Sequence, residues 1–177
     1  ESFVDIEGPA KPAPRQHTWM KMLWDDTNLY IGAQLAETDV WATYDKHDMV
    51  VFHENDFEVF IDPDGDGAGY YEIEVNPNNA VLDGCMRRIR NGFRKDFRWR
   101  CANLQTATRI FEGGWAAELN IPFASVVNET PAPGTRWRVN FTRIDRPPGL
   151  PRELSAWSPT GRAQFHIPER FGVLEFE

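Results

Sequence analysis

Apolar and polar residues alternate along most of the chain, and this pattern predicts strands. In FEVFID, residues 57–62, Phe57, Val59 and Ile61 share one face while Glu58 and Phe60 share the other. In YYEIEV, residues 70–75, Tyr71, Ile73 and Val75 oppose Glu72 and Glu74. The turn between these strands, residues 62–69, is too rich in Asp and Gly to be strand. A second hairpin is predicted over residues 18–37, turning at DDTN, where Asp and Asn side chains favour turns. A short strand follows at residues 79–85. Another hairpin spans residues 103–123 and turns at Gly113-Gly114. Late strands are expected at residues 135–145 and 170–177. One short helical turn is expected at residues 122–127, and the Pro-rich residues 2–15 read as an extended lead-in.

Many short strands separated by turn residues predict an all-β chain, an antiparallel β-sandwich of jelly-roll or immunoglobulin-like architecture. The 177 residues suit one domain over 1–177, and an apolar content of 41% can fill its core. Thirteen Pro and thirteen Gly agree with many turns and little helix. Seven Trp and twelve Phe supply large side chains. The default place for Trp24, Trp115, Trp137 and Trp157 is the core.

A net charge of −8 argues against nucleic acid as a partner, and no apolar run is long enough to span a membrane as a helix. The chain begins at Glu1 rather than Met, which reads as a fragment or mature form. Cys85 and Cys101 could be bridged or free. Between them, residues 86–100 (MRRIRNGFRKDFRWR) carry seven Lys or Arg against Asp96. The stretch reads as a long loop laid over an acidic body by ion pairs; its interleaved Phe93, Phe97 and Trp99 would also suit a grip on sugars.

Candidate chemistry centres on the acidic turn. Asp62, Asp64 and Asp66, followed by Gly67, follow the D-x-D-x-D-G spacing of calcium loops. Alternate residues in a tight turn can aim their oxygens at one centre, and three such charges repel without a cation. Position twelve of the pattern is Ile73 rather than Glu, and flanking helices are absent, so an EF-hand is not expected. Calcium is the expected cofactor, held by Asp62, Asp64 and Asp66, with Glu72 as a further candidate ligand. A solvated turn is the alternative.

Four longer strings point to a family. Residues 22–42, 54–83, 113–123 and 157–177 resemble, in this order, the carbohydrate-binding module family 9 and the wider DOMON-like β-sandwich class. The resemblance implies a β-sandwich with structural calcium and no catalysis. It also implies a sugar or polysaccharide ligand and a secreted or periplasmic location, with possible tethering to other domains of a polysaccharide-degrading enzyme. Two stacking tryptophans of the family fall on Phe52 and Phe165, and a sugar-binding carboxylate falls on Glu58. The family's arginine falls near Glu74, and the strand at residues 135–145 offers Asn140, Thr142 or Arg143. The expected carbohydrate site is therefore Phe52, Glu58, Glu74, Asn140, Arg143 and Phe165, with Trp41 and Trp157 as substitute platforms. Sugars present apolar C–H faces to aromatic rings and hydroxyls to polar groups.

Two rival functions are compatible with the composition. Glu58, Glu72 and Glu74 could serve a glycosidase or lyase, whose acid and base stand about 5–10 Å apart. No nucleophile motif accompanies them. Haem binding, by analogy with the wider class, would need Met20 or Met49 with a His. His47 and His53 are six apart, which is not a zinc spacing.

Overall fold

A computed structural model describes residues 2–177. The strands are β1 (Val4–Asp5), β2 (Thr18–Trp24), β3 (Asn28–Ala36), β4 (Asp56–Asp62), β5 (Gly69–Val75) and β6 (Val81–Ile89). They continue with β7 (Gly92–Asp96), β8 (Gln105–Phe111), β9 (Gly114–Pro122), β10 (Arg136–Asp145), β11 (Glu153–Ala156) and β12 (Gly172–Glu175). One helical turn, α1 (Phe123–Val126), follows β9. The predicted all-β sandwich is what forms: an eight-stranded sheet ordered β1-β11-β10-β4-β5-β6-β7, with β12 also on β10, packs on a four-stranded sheet ordered β2-β3-β9-β8. Every strand pair is antiparallel.

The three predicted hairpins are β2–β3, β4–β5 and β8–β9. The DDTN turn closes on Asp25, whose carboxylate accepts the backbone N–H groups of Thr27 and Asn28 at 2.7 and 2.8 Å. These bonds hold the Asp25 carboxyl at about 2. At the opposite end of β3, Gly114 lies so close to the Leu35 carbonyl that a Cβ would meet its oxygen at 2.2 Å. Of the lead-in, only Val4–Asp5 is strand.

Among the described residues, buried apolar side chains form three clusters, the two larger of them on the two faces of β4. Phe57, Val59, Ile61, Ile73, Val75, Val139 and Phe141 point between the sheets against Leu29, Ile31, Leu35, Trp115 and Leu119. Trp137 joins them, and Trp24 and Trp157 pack at the edge of this cluster. The second, smaller core lies on the outer face of the large sheet and contains Phe60, Tyr70, Met86, Ile144, Phe165 and Phe171.

The second core has a topological cause. β11 pairs with β10 from Thr142 onward, whereas β12 pairs with β10 only up to Val139. Both lie on the same side of β10, so residues 157–171 must leave the line of the sheet. They fold over its outer face and carry Phe165 and Phe171 onto Phe60, with ring centroids 6.2 and 5.6 Å away. β4 is consequently buried along its whole length on both faces.

Residues 86–100 form a hairpin rather than a loop. β6 and β7 pair from Cys85↔Asp96 to Ile89↔Gly92 and make one edge of the large sheet. Ion pairs do tie the hairpin down: Arg88 to Glu169, and Arg100 to Asp48 at 2.5 Å. Charged residues on an exposed edge also discourage pairing with other chains. Cys85 and Cys101 are both free and buried, and burial pushes the Cys101 thiol up to about 12.

Candidate functional site

The outer face of the large sheet carries Asp56, Glu58 and Phe60 from β4, with Glu72 and Glu74 from β5. Cross-strand register sets Glu58 directly opposite Glu74 on one side and Thr142 on the other. Thr142 donates its hydroxyl to the Glu58 carboxylate. A cavity of about 170 Å³ opens above these residues. Glu58, Glu72 and Glu74 line it below. Phe52, Ile144, Leu154, Ala163 and Phe165 supply apolar wall, and Lys95, Arg152, Gln164 and His166 complete the lining.

Phe52 reaches the cavity from a 3-10 turn, Val51–His53, and is half-buried. Phe165 arrives on the covering segment 157–171 and is buried. The two phenylalanines therefore line one cavity with Glu58 and Glu74. Phe165 is also a member of the second core, with its ring centroid 6.2 Å from that of Phe60, so it is as much a core residue as a wall.

Two expected site residues lie elsewhere. Asn140 is buried outside the cavity: its side-chain amide donates to the Ser158 carbonyl at 2.9 Å, and its oxygen accepts the Ser158 N–H at 3.0 Å. It staples the start of the covering segment to β10. Arg143 projects from the opposite face of β10, between the sheets, and pairs with Glu37 at 2.8 Å. Positions 140 and 143 differ by an odd number along a strand, so the pleat sends them to opposite faces. Neither substitute platform reaches the cavity. Trp41 donates its indole N–H to the Arg146 carbonyl at 2.7 Å, and Trp157 packs on Phe141 and Gly172.

The sequence reading left several lining residues out of the sugar site. Glu72 shares a face with Glu74, so alternation carried its signal. Lys95 comes from β7, where the basic composition concealed a strand. His166 comes from the covering segment and shows no pattern at all.

The carboxylates are strongly perturbed. Burial raises Glu58 well above the usual range, and the charges of Asp56 and Glu72 add to it. Burial raises Glu74 likewise, followed by the charges of Glu72, Glu58 and Asp56. Burial takes Glu72 to about 7. His166 is lowered to about 3, first by burial and then by Lys95, so it stays neutral; its Nδ1 hydrogen-bonds the Tyr70 hydroxyl at 2.7 Å.

The acidic turn is a separate site. Asp62 is buried, Asp64 and Asp66 are exposed, and all three can bring an oxygen within 4.8 Å of the others. Gly65 and Gly67, both at φ +68°, permit the bend, and the Asp62 carboxylate accepts their N–H groups at 3.1 and 3.0 Å. The donor set is all hard oxygen, which fits calcium. Glu72 belongs to the cavity and not to this turn.

The sandwich fold has counterparts among known proteins. Residues 6–177 match the family model described as carbohydrate family 9 binding domain-like. The chain belongs to that family. This family 9 chain is 29% identical over 120 residues to endo-1,4-beta-xylanase A of Thermoanaerobacterium saccharolyticum, covering 65% of this chain and 9% of the xylanase. Against endo-1,4-beta-xylanase A of Thermotoga neapolitana it is 25% identical over 88% of its length and 14% of the relative's. The chain thus spans only a small part of these relatives. Among solved structures, a carbohydrate binding module family 9 from Caldicellulosiruptor kristjanssonii in complex with glucose superposes with a TM-score of 0.69. That match has 19% identity and covers 94% of this chain and 79% of the other. The same organism's family 9 module in complex with cellotriose gives a TM-score of 0.68 at 20% identity, over 93% and 76% of the two chains.

Proposed function

We propose that the chain is a non-catalytic carbohydrate-binding module and that the cavity over β4, β5 and β10 holds its sugar. Membership of the family 9 binding domain-like family over nearly the whole chain carries this reading. The cavity supports it: aromatic and aliphatic walls suit the C–H face of a sugar ring, and the carboxylates below can accept its hydroxyls. At about 170 Å³ the space suits one ring, which favours a free sugar or chain end over the middle of a polymer. Phe52, Phe165, Glu58 and Glu74 are the proposed contacts.

In this reading the module supplies proximity to a polymer, and chemistry belongs to other domains. The xylanase relatives are many times longer than the stretch matched here, as an accessory module would require. The same relatives support a location outside the cytoplasm. Calcium, held by Asp62, Asp64 and Asp66, would neutralise the acidic turn and fix the β4–β5 hairpin, which carries Glu58 and Glu74.

Titration calorimetry with glucose, cellotriose and xylo-oligosaccharides tests the proposal. Saturable binding without release of new reducing ends is expected, and absence of binding to every sugar overturns it.

A further inference from the structure

The cavity's acidic base is more than a hydroxyl-binding edge needs. Asp56, Glu58 and Glu74 are all buried and can bring one oxygen each within 4.8 Å of the others, with Glu72 beside them. One oxygen of each of Asp56, Glu72 and Glu74 is buried and has no hydrogen-bond partner. Glu72 and Glu74 line the cavity itself. Leaving such oxygens unpaired is costly, and acids crowded together in this way are driven toward the protonated form unless a counter-charge holds them ionised.

The protein supplies no buried counter-charge here. Among the described residues the one buried Lys or Arg is Arg143, and it faces the other way, onto Glu37. Lys95 and Arg152 line the cavity but are exposed, and the Lys95 ammonium stands 5.9 Å from the centroids of Phe52 and Phe97. Neutral sugar hydroxyls could donate to the unpaired oxygens, but they would leave only the exposed Lys95 as a charge that favours ionisation of Glu58, Glu72 and Glu74. An ammonium group does both, because it offers three donors and a positive charge.

We propose that the cavity prefers a saccharide bearing a free amine, of the glucosamine type, with its ammonium on Glu72 and Glu74 and its C–H face against Phe52. This rests on the sugar-binding reading above and names its ligand class. A bare metal ion would suit the carboxylates but leave the apolar walls and most of the cavity unused.

The test is calorimetric titration of the intact chain with D-glucosamine, D-glucose and N-acetyl-D-glucosamine at fixed ionic strength, run both with calcium and with EDTA. The expected result is glucosamine binding about tenfold or more tighter than either neutral sugar. Glu72→Gln and Glu74→Gln should shrink this ratio toward one, with thermal melts confirming that each variant is folded. Equal or tighter binding of glucose overturns the amine proposal while the sugar-binding reading stands. No binding of any of the three, extended to the glucan and xylan oligosaccharides, removes both. A ratio that survives in both Gln variants assigns the preference to acids elsewhere and also overturns it. Calcium that competes with glucosamine in the absence of EDTA, and ceases to compete in Glu74→Gln, would give these carboxylates to a metal and overturn it as well.

Discussion

Arg143 and Glu37 form an ion pair at 2.8 Å with both side chains almost wholly buried, joining β10 of the large sheet to the end of β3 in the small one. Thr18 of β2 stands beside it, with its hydroxyl 3.3 Å from the Arg143 guanidinium. The pair belongs to the scaffold, not to the sugar cavity. Arg143→Met leaves the Glu37 carboxylate buried without its partner. The expected cost is roughly 3–5 kcal/mol by denaturant melts, with sugar affinity of the folded fraction unchanged. A variant that keeps its stability but loses sugar would return Arg143 to the site.

Phe52 tests the cavity more cleanly than Phe165. Phe165 packs into the second core, so Phe165→Ala should destabilise by about 3–5 kcal/mol and confuse any binding measurement. Phe52 is half-buried and its removal opens the wall. Phe52→Ala is expected to weaken sugar binding on the order of tenfold, with a far smaller change in melting temperature. Undiminished affinity would place the sugar elsewhere.

Stability should fall as pH rises above neutrality. Burial raises Asp56, Glu58 and Glu74 well above their ordinary values and takes Glu72 to about 7. The folded state therefore binds protons more tightly than the unfolded chain, and the stability this contributes is lost as pH climbs through the folded values. His166, lowered to about 3, acts in the opposite sense, with stability lost as pH falls below its unfolded value of 6.5. His166 protonation in the unfolded chain fades as pH passes 6.5, so above about pH 7.5 the carboxylates alone set the slope. Melts between pH 6.5 and 8.5 should show a falling midpoint, by about 2–4 °C for each kcal/mol lost. Glu74→Gln should flatten the fall.

Calcium should raise the melting temperature if the acidic turn holds it. Free calcium at about 100 times its Kd would add about 2.7 kcal/mol, and EDTA should reverse the gain. Asp64→Asn with Asp66→Asn, both exposed, should abolish the response while leaving the metal-free melt nearly unchanged. An identical melt with calcium and EDTA removes the metal from the turn.

Alternation made the hairpins legible. The faces of β4 and β5 were readable because Phe57, Val59 and Ile61 alternate with Glu58 and Phe60, and Tyr71, Ile73 and Val75 with Glu72 and Glu74, and the DDTN and Gly113-Gly114 turns marked the strand ends. Residues 86–100 were not legible as β6–β7, because Arg and Lys at an edge strand look like a solvated loop. The family resemblance put Arg143 near a contact position and Asn140 on the same strand, but the pleat sends the two to opposite faces. The covering segment left no periodic trace, since its backbone is largely irregular.

Sequence alone therefore determined that Glu58, Glu72 and Glu74 share one side of adjoining strands, because side-chain direction in a strand depends only on parity. Whether that side met water or protein was a matter of tertiary structure. β11 and β12 share one edge of β10, and the chain between them must cross over the sheet. That crossing turns exposed acids into buried ones beneath aromatic walls, and a nonlocal pairing of this kind is invisible to any pattern read along the chain.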